Sequence, residues 1–181
     1  MIRFALYLLG GLLLGGVIHI VVILALPLLA EERPIDAVAG LGPRNTLIRL
    51  DPADTALAAR FSLDPLLIYG VCRLDLAEGP AFLRGTLPDA FWSVAVYDAT
   101  GAVIYATTNR DGIGRTLELG LFNPAQTRLL AQQQIEIAEG VLIVETARND
   151  LFVIVRLAPP NGAVAPRFGQ ALDRIACGTR P

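Results

Sequence analysis

From Phe4 to Ala30 the chain carries no charge, and this run decides what the first part of the protein can be. Coiled as a helix at about 1.5 Å per residue it reaches about 40 Å, enough to cross a hydrocarbon core of about 30 Å. A secretory signal peptide is the competing reading. Its apolar core is usually about 7–15 residues and ends in an A-x-A-like site. Here the run is longer, and it closes on Leu28-Leu29-Ala30, a poor cleavage triplet. The expectation is an uncleaved anchor over residues 1–30. Arg3 precedes the run and Glu31-Glu32-Arg33 follow it. The positive-inside rule then places the amino terminus in the cytoplasm and residues 31–181 in the periplasm of a bacterial inner membrane.

Two cysteines, Cys72 and Cys177, form the only pair in the chain. An even count in an exported domain points to a disulfide. The pair lies 105 residues apart. The chain-entropy account assigns a loop of that size about 4–5 kcal/mol, as an upper figure. Two buried free thiols are the alternative. All 17 acidic residues and 14 of the 15 arginines follow the anchor, and there is no lysine. Without a basic patch or a block of like charge, nucleic acid is not an expected partner.

Beyond the anchor, residues 31–63 read as a short helix and a connector. Pro34 suits a first helical position, Gly40 and Gly42-Pro43 end the helix, and "LDPADTALAARF" carries a weak helical signal. Residues 64–181 read as a β-rich domain. "LLIYGVCRLDL" is apolar enough for a buried strand, turned by Glu78-Gly79-Pro80, and "AFLRGTL" follows. "FWSVAVYDATGAVIYATTN" is the clearest hairpin: Trp92, Val94 and Val96 alternate with Ser93, Ala95 and Tyr97, and Asp98 to Gly101 carry a type I turn signature. "TLELGLF" is a further strand. "NPAQTRLLAQQQ" is a helix capped by Asn123 with Pro124 at its first position. "VLIVETA" and "LFVIVRLA" read as a second hairpin. Residues 167–176 form a last helix with Phe168, Leu172 and Ile175 on one face and Cys177 at its end, so a bond to Cys72 would pin this helix to the first long strand. The expected class is α+β: one transmembrane helix, then about six mostly antiparallel strands in a sandwich-like domain with two or three packed helices.

The segments "VCRLDLAEGPAFLRGTLPDAFWSVAVYDATGAVIYATTNRDG" and "ALDRIAC", behind a single N-terminal span, resemble the short alphaproteobacterial membrane-anchored proteins of domain-of-unknown-function family 1254. The resemblance covers most of the chain. Its motifs are structural: a strand ending in Cys-Arg, a Gly-Pro turn, a Leu-Pro then Phe-Trp-Ser hairpin, and a terminal helix ending in Cys. It implies a periplasmic, inner-membrane-anchored β-rich domain, and a partner from a sister uncharacterised family. It carries over no catalytic residue.

Chemistry is sparse. The exported part has no histidine, so a metal centre lacks its commonest ligand, and "RNDLF" and "NRDG" are turn chemistry before they are a calcium cage. A nucleophile lacks a base: histidine and lysine are absent, and Ser62 and Ser93 are the only serines. Asp75, Asp98, Asp111 and Glu145 are available for acid–base work, but their spacing brings no two together. "DGIG" lacks the strand-to-helix context of a dinucleotide site. Asn109, Arg110 and Asp111 form a polar contact cluster that reads first as a solvated turn and second as a site for an anion or a partner loop. No cofactor and no metal are expected.

The remaining candidates lie in the span. Gly11, Gly15 and His19 are spaced by four and stack on one helix face. Gly11-x-x-x-Gly15 lets another helix approach closely, and mid-span His19 is costly against lipid tails. An interhelical hydrogen bond, axial ligation of a haem or chlorophyll-type metal, and a tolerated polar contact all fit it. The expected function is non-catalytic: an accessory or assembly subunit in the lipid bilayer, bound to a membrane-protein partner or to a second copy through this helix. A periplasmic module enclosing a small apolar ligand within its sandwich is the alternative, and an enzyme is the weakest reading.

Overall fold

The computed structural model describes residues 2–26, 33–110, 115–132 and 140–179. The chain divides into two units, residues 1–33 and 34–181. In the first, helix α1 (Ile2–Ala25) is apolar around its whole circumference and buries none of its residues against protein. It is long and apolar enough to cross a bilayer, a property that a membrane anchor and a signal sequence share.

The second unit is an α+β domain built on two sheets. In chain order its elements are α2 (Pro34–Ala39), β1 (Leu47–Leu50), α3 (Thr55–Phe61), β2 (Ile68–Asp75), β3 (Ala81–Thr86), β4 (Trp92–Asp98), β5 (Val103–Thr108) and β6 (Thr116–Phe122). They continue with α4 (Pro124–Gln132), β7 (Leu142–Glu145), β8 (Asp150–Leu157), α5 (Ala165–Asp173) and β9 (Ala176–Gly178). One sheet has the order β1-β2-β8-β4-β5, the other β7-β6-β3-β9. All neighbours are antiparallel except β6 and β7, which run parallel.

Period-two alternation sends one face of each strand to a shared core. Cys72 and Leu74 of β2, Trp92, Val94 and Val96 of β4, and Leu151, Val153, Val155 and Leu157 of β8 point in from the five-stranded sheet. Ala81 and Leu83 of β3 and Leu117, Leu119 and Leu121 of β6 meet them from the four-stranded sheet. Phe168 and Leu172 of α5, with Ile175 beyond its end, close the core. The helix sits so near β2 that a Cβ on Gly70 would stand 2.9 Å from Leu172 Cδ1.

Several expectations need correction. Residues 142–145 and 150–157 do not form a hairpin. β7 extends the four-stranded sheet beside β6, while β8 crosses to the other sheet and inserts between β2 and β4. The reason is burial: Leu151, Phe152, Val153 and Val155 are buried on both faces of β8, which only a central strand provides. The connector is not merely a connector, because β1 within it forms the edge of the larger sheet. Nine strands stand among the described residues, against about six expected. Helix α4 buries none of its residues. Asn123 Oδ1 accepts from the N–H groups of Ala125 and Gln126, and the Gln126 side chain accepts from Asn123 N–H and donates to the Leu76 carbonyl at 2.7 Å. The capping box thus fastens this helix by its first turn.

The disulfide between Cys72 and Cys177 is present, with the Cα atoms 6.6 Å apart. Its mechanical role differs from the expectation. Helix α5 ends at Asp173, and Cys177 lies on β9, which pairs with β3. The bond therefore ties one sheet to the other across the core rather than a helix to a strand. Non-reducing mass spectrometry of freshly prepared protein should show the linked peptide. Reduction is expected to lower stability by about 4–5 kcal/mol at most, the loop-closure value, read by urea unfolding with and without reductant. Two alkylatable thiols in the untreated protein would contradict this.

Candidate functional site

The outer face of the five-stranded sheet should be polar if the domain were a simple sandwich. It is not. Tyr69 and Val71 of β2, Phe152 of β8 and Leu50 of β1 are buried there, and Tyr97 and Ile154 pack with them. Ile35 and Val38 of α2 and Leu63, just past α3, cover the patch. Tyr97 and Phe152 are opposite one another in the β4–β8 register and stack with ring centroids 5.0 Å apart and planes 7° from parallel.

The covering elements are fixed locally. Asp54 caps α3 by accepting from Ala56 and Leu57 N–H, and the helix ends at Ser62 in a left-handed conformation with φ 50°. Asp64 N–H then donates to the Tyr69 hydroxyl oxygen at 2.9 Å, holding the loop to the sheet. On the other side, the turn after β4 is closed by Gly101 N–H to the Asp98 carbonyl at 3.0 Å. Gly101 has φ +86°, and a Cβ there would meet Pro34 Cγ at 2.9 Å, so only glycine lets α2 lie against this turn.

These elements do not close completely. They leave a pocket of about 290 Å³ whose walls include Phe61, Tyr69, Val71, Tyr97, Phe152 and Arg156. That is at the small end of ligand pockets. Arg156, half-buried, is the one charged residue lining it among the described residues. Its Nη2 donates to the Tyr97 hydroxyl oxygen at 3.4 Å, a long bond. Two larger depressions are charged at their rims: one of about 700 Å³ beside Asp89, Arg115, Arg167 and Arg174, and one of about 530 Å³ beside Glu78 and Arg84.

Solved structures share this fold, and two of them illustrate it. One is the VPA0106 protein from Vibrio parahaemolyticus, with a TM-score of 0.57 and 16% identity over 79% of this chain and 32% of that one. The other is an uncharacterised protein from Burkholderia cenocepacia, with a TM-score of 0.51 and 17% identity over 81% of this chain and 37% of that one. The chain thus spans about a third of the length of each. At this identity the likeness is one of fold. No protein-family model matches the chain, and no curated protein matches it.

The residues singled out from sequence are scattered over both units. Gly11, Gly15 and His19 lie along exposed α1, and a Cβ on either glycine would meet nothing within 4 Å. Asn109 and Arg110 form an exposed turn, with Asn109 N–H bonded to the Trp92 carbonyl and Arg110 N–H to the Thr108 hydroxyl. Asp111 and the "DGIG" stretch lie outside the described residues. Asp75 meets a carboxylate outside the four weighed from sequence: it stands opposite Asp150 in register, and Arg44 bonds both, at 2.6 and 3.4 Å. The guanidinium offsets the repulsion between them. Ser93 lies half-buried within β4, and Glu145 ends β7, exposed.

What sequence reasoning missed is the outer pocket. Its signal was present in "LFVIVRLA", where no alternation separates two faces and Arg156 is the single charge.

Asp98 holds the turn that forms part of the rim, and it is 8% exposed. Its Oδ1 accepts from the Thr100 hydroxyl at 2.5 Å and from the N–H groups of Thr100 and Ala102. The Thr100 hydroxyl is the main cause holding this carboxyl below its ordinary value. Burial opposes it, and the two backbone donors and the charge of Arg148 add to the lowering. The stabilisation from the carboxylate is then fully present above about pH 4 and is lost as pH falls from there through the depressed folded value. Asp98→Asn is expected to cost about 1 kcal/mol at pH 7. In urea unfolding that gap should narrow between pH 7 and pH 3; a constant gap would show that the charge contributes nothing.

Proposed function

We propose that this chain is a non-catalytic, single-span inner-membrane protein that acts as an accessory or assembly subunit, binding a membrane-protein partner through its span. Residues 34–181 stand in the periplasm in this reading, with Arg3 on the cytoplasmic side. The observation that carries it is the line of Gly11, Gly15 and His19, spaced by four along one face of the apolar helix α1. Small residues spaced by four admit a second backbone, and an imidazole in mid-span is costly unless it meets a polar partner. A disulfide between the sheets suits an oxidising compartment.

The partner is a second membrane protein, with self-association as the competing occupant of the same helix face. The resemblance to domain-of-unknown-function family 1254 favours a protein of its sister uncharacterised family.

His19→Leu and Gly15→Leu should each lower the amount of partner recovered in gentle detergent about fivefold, the equivalent of one interhelical hydrogen bond of about 1 kcal/mol. The disulfide-linked domain should stay folded in both. Unchanged recovery in both variants would refute the packing role. A Soret or bacteriochlorophyll band that His19→Leu removes would replace it with metal ligation.

A second reading, binding of a small apolar ligand, is favoured by the pocket outside the five-stranded sheet. The ligand would not lie between the sheets, where leucine and valine side chains fill the space. Native mass spectrometry of protein taken from its own membranes, before and after delipidation, should show a retained small molecule if this reading holds. Identical masses in the two preparations would count against it.

A further inference from the structure

We infer that the outer pocket takes a small apolar carboxylate, with Arg156 binding its charged end; this rests on the apolar-ligand reading and names the ligand's chemistry. The polar groups of the pocket are unbalanced in one direction. Arg156 can only donate, and among the described residues its one hydrogen-bond partner is the Tyr97 hydroxyl oxygen at 3.4 Å. Among the described residues no carboxylate pairs with it, whereas Arg44 and Arg49 each have acidic partners within 3.4 Å. Both tyrosine hydroxyls already act as acceptors, Tyr97 from Arg156 and Tyr69 from Asp64 N–H. Each phenol therefore still has its own proton to give. Three donor side chains, one guanidinium and two phenols, line a wall that is otherwise Val71, Phe152, Ile154 and similar apolar surface.

A half-buried guanidinium without an anion is an expensive group to keep beside apolar walls. A ligand that only accepts hydrogen bonds resolves the imbalance. The planar fork of arginine matches a carboxylate, giving two parallel bonds and one neutralised charge. A phosphate dianion would leave a charge uncompensated, because among the described residues no second cation lines the pocket. The volume of about 290 Å³ and the stacked Tyr97–Phe152 pair fit a single ring or a short chain behind that carboxylate.

The test uses the full chain in lipid nanodiscs, with empty nanodiscs as the control. Benzoate and its neutral analogue benzamide are the probes, followed by ligand-observed NMR titration at pH 7. Benzoate is expected to bind about tenfold more tightly than benzamide, the gain for a charge-assisted pair. Arg156→Met should bring benzoate down to the affinity of benzamide and leave benzamide unchanged. Arg156→Gln serves the same purpose should the methionine variant unfold. Ile154→Phe, which narrows the pocket, should remove both. Equal affinity for the two probes, or benzoate binding that ignores loss of Arg156, overturns the carboxylate assignment and leaves an apolar ligand standing. Binding of neither probe, or binding that Ile154→Phe does not touch, overturns the ligand pocket as well.

Discussion

The five-stranded sheet is apolar on both faces, and the rest of the domain follows from covering it twice. The inner face meets the four-stranded sheet and α5. The outer face needs its own layer, and the short helices α2 and α3 supply it. Short helices cover a sheet poorly. Six and seven residues make fewer than two turns apiece, and each depends on a cap or a loop bond for its position. A cleft on that side is the natural result, and the side chains at its bottom are those of the three central strands β2, β8 and β4.

The same double burial makes assembly a long-range problem. β8 fills the gap between β2 and β4, so the two halves of the larger sheet join only when a strand from late in the sequence arrives. β9, later still, completes the smaller sheet beside β3 and carries Cys177 to Cys72. Contacts of such separation delay folding, because loop entropy is lost before pairing returns it. The disulfide then acts on what is hardest to keep, the closure of the two sheets by the last strands.

Local rules were legible in the sequence because the residues that carry them are neighbours. Pro34 opens α2, Asn123 and Pro124 open α4, and Asp98 to Gly101 turn β4 into β5, each read from spacing alone. The partner of a strand was not legible in the same way. β7 follows the pattern of a hairpin strand, yet Thr146 N–H bonds the Phe122 carbonyl and Leu76 N–H bonds the Asn149 carbonyl, so four residues carry the chain from one sheet to the other. No propensity in "TARN" distinguishes that crossing from a turn. The cysteine pair was read correctly as a bond and incorrectly as a clamp on a helix, because the last helix ends four residues before Cys177 and the chain becomes strand. The outer pocket was hidden for a different reason. Continuous apolar runs show that a strand is buried, but which short helix covers the second face is a tertiary fact.

The domain and the span divide the physical work. In the domain, half-buried Asp75 is committed to Arg44, and buried Asp98 to its own loop. Polar groups there mainly hold shape. Arg156 departs from that pattern, since its surroundings are apolar and its one bond is long. His19 departs from it in the span, as the one polar side chain between Tyr7 and Ala25 of a helix otherwise built of aliphatic residues and glycine. Both positions carry a cost that the fold does not itself offset, and such costs persist where something outside the fold supplies the missing contact. For His19 the proposed source of that contact is another helix. For Arg156 it lies at the edge of an apolar wall, where an anion with an apolar body satisfies the guanidinium and the wall together.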